Sequence, residues 1–411
     1  MARKLGWYSL VGWVGASMLL GACGCSSDKT SESPAAAVVS ELRSPAARVV
    51  ADVSEAAAAA QGEQAFAFSF LHALPGEKNV TFSPHSLSAA FAMLSDAAEG
   101  QTLAEIEQVL KFSPVNEAFH RSQDALKLGL AARNRAALDT QEEKVDAQTL
   151  SESNDVWIRD DAPPQASYLD TLAQFYGVGV HQADFGKRPE AARQAINAKI
   201  STDTHALIPE LIGERRIDQD TLLVLTNALY FKAPWMNHFD DAVPGDFHAL
   251  DGSTKSASML QQQAAYLYCE GDGFVSVAVP YYGNDLELML VVPDSGKYAD
   301  VRAKLSGELL TELTTTRQSE LVALTLPKFE LKSEVPATDT FKALGLKTPF
   351  DPGAARFPKL PSQLGNAYIS DVLHQATVAI DEKGTEASAA TAIIGKAGSA
   401  NSPGTPPQPK V

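Results

Sequence analysis

Cysteine is scarce in this chain, with three residues among 411. Cys23 and Cys25 stand near the N-terminus and Cys269 is alone in the body. No disulfide framework is therefore available, and no Cys or Cys/His spacing suits a structural zinc. Positive charge is scarce as well: 34 Lys and Arg against 50 Asp and Glu leave a net charge of −16. Short pairs such as Lys187-Arg188 and Arg215-Arg216 make no basic stripe, which argues against nucleic acid or anionic lipid as a partner. Catalytic signatures are missing too: there is no GxSxG elbow, HExxH pair, Walker loop or dinucleotide glycine fingerprint. Ser83-Pro84-His85-Ser86 lacks the lysine of an SxxK motif. His374 could partner Ser83 or Ser86, but spacing does not separate that from ordinary buried hydrogen bonding. Asp371, Asp381, Glu382 and Glu386 read as solvent-facing charges. The balance is against an enzyme, and no cofactor or metal is expected.

What is present first is an address. Arg3 and Lys4 precede an apolar run from Leu5 to Ala22, in the manner of a secretory signal. The run ends in Leu20-Gly21-Ala22-Cys23, which resembles a bacterial lipobox. In that motif small residues give the signal peptidase access to the bond before a cysteine, which is diacylated and becomes the new N-terminus. Residues 1–22 are read as a lipoprotein signal peptide and Cys23 as the lipidation site. The protein is then secreted and held at the cell envelope by its lipid alone. An uncleaved membrane anchor is the alternative, since the run is long for a signal. Gly24, rather than an aspartate, is similar to the outer-membrane sorting pattern of two-membrane cells. Ser/Ala/Glu/Pro-rich sequence without apolar periodicity follows. It reads as a flexible tether over 23–55, ahead of a body over 56–411.

The body changes grammar along its length. Ala56 to Ala60 leads into Phe66, Phe68, Phe70 and Leu71, a helix with one apolar face. Ser83-Pro84 opens a second helix through Leu87, Phe91 and Leu94, with serine as cap and proline in the first turn. Helical sequence continues to about Arg135. Thr221 to Phe231 is then a nearly continuous apolar run, as in a strand buried on both faces. Phe274 to Pro280 and Leu286 to Val292 are strands around the turn Tyr282-Gly283-Asn284-Asp285. Leu321 to Leu326 and Ala376 to Ile380 alternate. Helices early and strands late predict an α+β fold.

After Ile380 comes Gly384-Thr385-Glu386-Ala387-Ser388-Ala389-Ala390-Thr391-Ala392, then Ile393, Ile394 and a Gly/Ser/Pro-rich segment. Side chains this small could slide between two existing strands; a disordered tail is the plainer reading of the composition.

Several motifs, in consistent order from about residue 60 onward, resemble those of the serpin family. Asn79-Val80-Thr81-Phe82-Ser83-Pro84-His85-Ser86-Leu87 is similar to the segment entering that family's helix B, and Ala97-Ala98-Glu99-Gly100-Gln101-Thr102 to the element after it. Thr226-Asn227-Ala228-Leu229-Tyr230-Phe231-Lys232-Ala233-Pro234-Trp235 looks like a central strand of its sheet A with the following breach tryptophan. Val279-Pro280-Tyr281-Tyr282-Gly283, Val292-Pro293-Asp294 and Leu326-Pro327-Lys328-Phe329 resemble three further motifs. Ile369 to Ala376, followed by Asp381 to Ala387, resembles the most diagnostic stretch.

The resemblance implies helices packed around three β-sheets and an exposed reactive-centre loop. It implies a monomeric inhibitor that traps a serine, or else a cysteine, protease. It also assigns residues. Ser83, Ser86, Asn227 and His374 would form a buried polar shutter under sheet A, and Trp235 would sit at the breach. Gly384, Thr385, Glu386, Ala387, Ser388, Ala389 and Ala390 would be the hinge. The family's spacing puts the scissile bond between Gly398 and Ser399, with Lys396-Ala397 as second choice. Two departures stand out: Lys199 where a tryptophan is usual, with Ala206-Leu207 for Gly-Lys, and a chain that stops at Val411, so that the last strands of sheet B are expected to be missing. Two other classes stay open, a non-inhibitory binding protein of the same fold and an unrelated secreted hydrolase using Ser83 or Ser86.

Overall fold

The computed structural model of the protein describes residues 39–139, 144–161, 163–219, 221, 223–360 and 367–386. The side chains of residues 152–154, 223, 225, 227–229 and 386 lie outside that description.

Helices predominate in the first half, up to Ala131 as the periodicity predicts, but strands at Thr149–Arg159 and Val180–Ala183 also lie there, earlier than expected. The helices are α1 (Ala57–Ala73), α2 (Pro84–Ser95), α3 (Gly100–Leu110), α4 (Glu117–Ala131), α5 (Ala166–Thr171) and α6 (Pro189–Asp203). Later come α7 (Tyr298–Lys304), α8 (Gly307–Thr316) and α9 (Ala337–Ala343). The Ser83 side chain accepts the Ser86 N–H and Pro84 sits in the first turn of α2, as its sequence dictates. Leu87, Ala90, Phe91, Ala92, Met93 and Leu94 bury this helix nearly all round, so it lies within the body rather than on it. Phe341 of α9 ties the helical core together, with ring centroids 5.9, 5.3 and 4.7 Å from Phe66, Phe70 and Phe91. Such ring pairs add about 0.5–1.5 kcal/mol each beyond area burial.

The strands are β1 (Val39–Leu42), β2 (Leu138–Asp139), β3 (Lys144–Val145), β4 (Thr149–Arg159), β5 (Val180–Ala183), β6 (Leu223–Pro234) and β7 (Val243–His248). They continue with β8 (Thr254–Gly271), β9 (Phe274–Pro280), β10 (Glu287–Pro293), β11 (Gln318–Pro327), β12 (Phe329–Val335), β13 (Asp371–Ile380) and β14 (Gly384–Glu386). The larger sheet has the order β1-β5-β4-β6-β14-β13-β12. Alternate residues of its strands serve two cores. Val156, Ile158 and Val372 pack with the residues of α2, while Trp157, Val224 and Leu373 pack with Ile196 and Ile200 of α6. A sheet covered on both faces favours apolar residues on both sides of its strands, which accounts for the nearly continuous run before Phe231.

A second sheet runs β10-β9-β8-β11 with β7 also on β8, and β2 and β3 make a ribbon. β8 is long enough to pair β7 along Thr254 to Met259, β11 along Met259 to Tyr268 and β9 along Leu267 to Gly271.

The tether is shorter than its composition suggests. From residue 39 the chain belongs to the body: β1 pairs antiparallel with the edge strand β5, from Val39 opposite Ala183 to Leu42 opposite Val180. Arg48 forms an ion pair with the buried Asp124, whose other oxygen accepts the Ala51 N–H at 3.1 Å. Arg121 grips Glu55 with two bonds of 2.8 and 2.6 Å. Main-chain pairing and ion pairs hold this strap, and neither leaves a periodic apolar signature. Asp124→Ala leaves Arg48 and the Ala51 N–H without their acceptor and is expected to cost about 2 kcal/mol. Limited proteolysis should then cut residues 43–52 first; a strap as resistant as in the wild type would contradict its attachment through Asp124.

Candidate functional site: a forked sheet and its hinge

Parallel pairing joins β13 to β6 directly along Asp371 to Ala376 and Val224 to Leu229. Beyond that stretch the two strands part, and β14 lies between them. Gly384, Thr385 and Glu386 pair antiparallel with Pro234, Ala233 and Lys232, and Thr385 also faces Ile380. The first three residues of the assigned hinge are therefore already in the sheet, whereas the resemblance implied insertion after cleavage. The remaining hinge residues Ala387, Ser388, Ala389 and Ala390 lie outside the described residues. So do the scissile candidates Lys396, Ala397, Gly398 and Ser399, and the lipidation candidate Cys23.

A tight turn aims the hinge. The Asp381 carboxylate accepts the N–H groups of Lys383 and Gly384 at 2.8 and 3.0 Å, and the Asp381 N–H returns to Gly384 O at 3.0 Å. A Cβ on Gly384 would meet Ala233 O at 2.3 Å, so only glycine permits this close approach. Glu382 takes Lys328 at 2.7 Å; burial alone would raise its carboxyl, but the ammonium and nearby donors outweigh that and hold it low. Asp371 accepts the Thr338 hydroxyl. Asp371, Asp381 and Glu382 are thus partnered, which corrects their reading as plain solvent-facing charges.

Trp235 stands beside the fork, 1% exposed. Its indole N–H donates to Asp381 O at 2.9 Å and its backbone N–H to Lys383 O at 2.9 Å. Its ring stacks on Tyr281 at 4.6 Å. The phenol of Tyr281 reaches Thr385 Oγ1 at 2.7 Å, and burial pushes that phenol's pKa well up, so it stays protonated. Motif reading named Trp235 but gave Tyr281 no role, because only the fold brings it to the hinge.

Below the fork sits the polar cluster. The Ser83 backbone N–H donates to His374 Nε2 at 2.9 Å, so the imidazole is neutral with its proton on Nδ1. Ser86 Oγ donates to Ser83 Oγ at 2.9 Å. His374 is fully buried, and that burial drives its pKa down to about 3. Asn227 lies opposite His374 in the parallel pairing; its side chain is outside the described residues. Neither serine hydroxyl is bonded to the imidazole, whose Nε2 is committed to backbone. This geometry serves internal hydrogen bonding and not nucleophile activation.

The departure at residue 199 has a structural counterpart. Lys199 reaches from α6 to Asp155 of β4 at 3.2 Å and also pairs with Asp203, while His181 Nε2 meets Asp155 at 2.9 Å. Burial alone would lower the Lys199 pKa, but the two carboxylates raise it on balance. An ion pair thus pins α6 to the sheet. Ala206 adopts φ +65°, a left-handed conformation that glycine takes without strain.

A family model described as serpin (serine protease inhibitor) matches residues 61–410. An uncharacterized serpin-like protein of Methanosarcina acetivorans is 29% identical over 339 residues, covering 82% of this chain and 77% of its own. Serpin A3-3 of Bos taurus is 33% identical over 338 residues, covering 80% and 78%. The native crystal structure of the thermophilic serpin tengpin superposes with a TM-score of 0.73 at 24% identity, over 86% of this chain and 88% of that one.

Proposed function

The chain belongs to the serpin family, and from that membership we propose that it is a suicide-substrate inhibitor of a serine, or else a cysteine, protease. The observation that carries the reading is the hinge: Gly384 to Glu386 already occupies the gap between β6 and β13, and only small residues follow it through Ala390. The protease attacks the reactive loop, its nucleophile takes the acyl group and the downstream segment leaves as an amine. The freed hinge then extends β14 down the sheet, replacing the direct β6–β13 ladder with two new ladders. The acyl-enzyme is dragged with it and distorted before water completes hydrolysis. Main-chain hydrogen bonds formed on insertion supply the driving force, and the uncut protein is secure kinetically rather than thermodynamically.

Cleavage between Gly398 and Ser399 would suit an elastase- or subtilisin-like enzyme, and cleavage after Lys396 a trypsin-like one. Cys23, in the lipobox-like Leu20-Gly21-Ala22-Cys23, anchors the protein by lipid at the cell envelope in this reading. Among the described residues no helix is long and apolar enough to cross a membrane.

Incubation with enzymes of both specificities should give a complex stable on a denaturing gel. The released fragment should begin at Ser399, or at Ala397 for the trypsin-like case. Complete cleavage without complex, and without thermal stabilisation of the cleaved protein, would assign a non-inhibitory binding protein instead.

A further inference from the structure

Little main chain holds the hinge at its start: Gly384 to Glu386 against Lys232 to Pro234, and Thr385 against Ile380. Besides the Asp381 carboxylate on the Gly384 N–H, one side-chain bond among the described residues adds to these, and it comes from the other sheet. Tyr281 directly follows β9, and its phenol oxygen lies 2.7 Å from Thr385 Oγ1, with both residues 3% exposed. The ring has no room to turn away. It stacks on Trp235 at 4.6 Å with a 9° interplanar angle and meets Phe231 edge-on at 5.3 Å. Its backbone is fixed by a bridge to Trp235 and by its N–H on Leu286 O at 2.9 Å.

We infer that Tyr281 is a positioning residue for loop insertion, its hydroxyl locking Thr385 in register so that the trap starts from a formed nucleus. This rests on the trapping reading above. Main-chain pairing alone specifies register weakly, since a slip of one residue can keep hydrogen bonds while it exchanges the two faces. Such a slip would turn Glu386 onto the buried face that Thr385 now occupies. The Tyr281 hydroxyl discriminates against it, because a withdrawn or shifted Thr385 leaves two buried hydroxyls unpaired. The first pairs of an inserting strand are also the costly ones, fixing chain before packing rewards it. Trapping succeeds only when insertion outruns hydrolysis of the acyl-enzyme, so the bond acts on that partition.

Tyr281→Phe keeps the ring and its stacking on Trp235 and removes only the oxygen; Thr385→Val keeps the shape and removes the partner. Each is expected to raise the ratio of cleaved to trapped inhibitor about fivefold to tenfold, the scale of one lost buried hydrogen bond. Each should also speed amide exchange at residues 384–386 in the uncut protein. The double variant should be no worse than either single, because both remove the same bond. Thr385→Ser, which keeps an oxygen there, should recover trapping relative to Thr385→Val. Unchanged exchange in both singles, or a double variant whose effect is the product of the two, overturns the latch. If the wild type traps no protease, the trapping reading fails, and exchange at residues 384–386 still decides the latch by itself.

Discussion

Ala389→Arg is expected to convert the protein from a trap into a substrate, cut at the reactive loop and released with the protease still active. The register fixes where this side chain would go. Thr385 faces Ile380 on one side and Ala233 on the other. Continuing antiparallel in steps of two, Ala387 falls opposite Val378, Ala389 opposite Ala376, and Thr391 opposite His374. Along β13 these partners share one face with Ile380, and Ala376, His374 and Ile380 are buried. No acidic residue of β13 shares that face between His374 and Ile380, and burying a guanidinium unpaired costs about 5 kcal/mol. Placed in the barrier, that slows insertion about five-thousandfold, enough for hydrolysis to win. Ser388→Arg is the control: it points to the opposite face, beside the half-buried Thr377, and should lose far less. Gel-resolved complex yield with one serine protease reads both variants. An Ala389→Arg protein that captures protease at the wild-type yield would sink the insertion mechanism.

The same register shows how much of the site the sequence could carry. Local grammar sufficed where local physics decides: a serine cap with proline behind it starts α2, alternation marks β13, and a nearly continuous apolar run marks β6, a strand covered on both faces. The hinge stood out because its residues are small over a long stretch. What stayed hidden depends on contacts far apart in the chain. The strap at residues 39–55 is held by an edge ladder and by Arg48 on Asp124, and neither gives a periodic pattern. Tyr281 reads as one more aromatic after a strand until the fold brings it to Thr385. Lys199, where the resemblance leads one to expect a tryptophan, makes an ion pair with Asp155, a partner 44 positions away. The acidic residues after Ile380 looked solvated because a turn-forming aspartate and a free one have the same composition.

His374 supplies the second large effect, through pH. Its Nε2 accepts the Ser83 N–H, which only the neutral ring can do, and burial holds its folded pKa down to about 3. In the unfolded chain the ring titrates near 6.5. The folded pKa is the lower one, so the contribution is complete above about 6.5 and is lost as pH falls towards about 3, where the folded ring also protonates. Between those limits each pH unit removes about 1.4 kcal/mol, so pH 4.5 should cost the wild type about 2–3 kcal/mol through this residue. Carboxylates with lowered pKa values, such as Asp96 and Glu382, lose stability over an overlapping acid range. Their share must be removed by difference. His374→Gln lacks the titration and retains an acceptor. Urea unfolding of both proteins at pH 7.5 and 4.5 should show the variant losing about 2–3 kcal/mol less than the wild type on acidification. Equal losses would mean that the ring is not held neutral by its burial beneath the strands. Because His374 pairs with β6 along the ladder that the proposed insertion would divide, the wild type should also open there more readily in acid, and the variant should not.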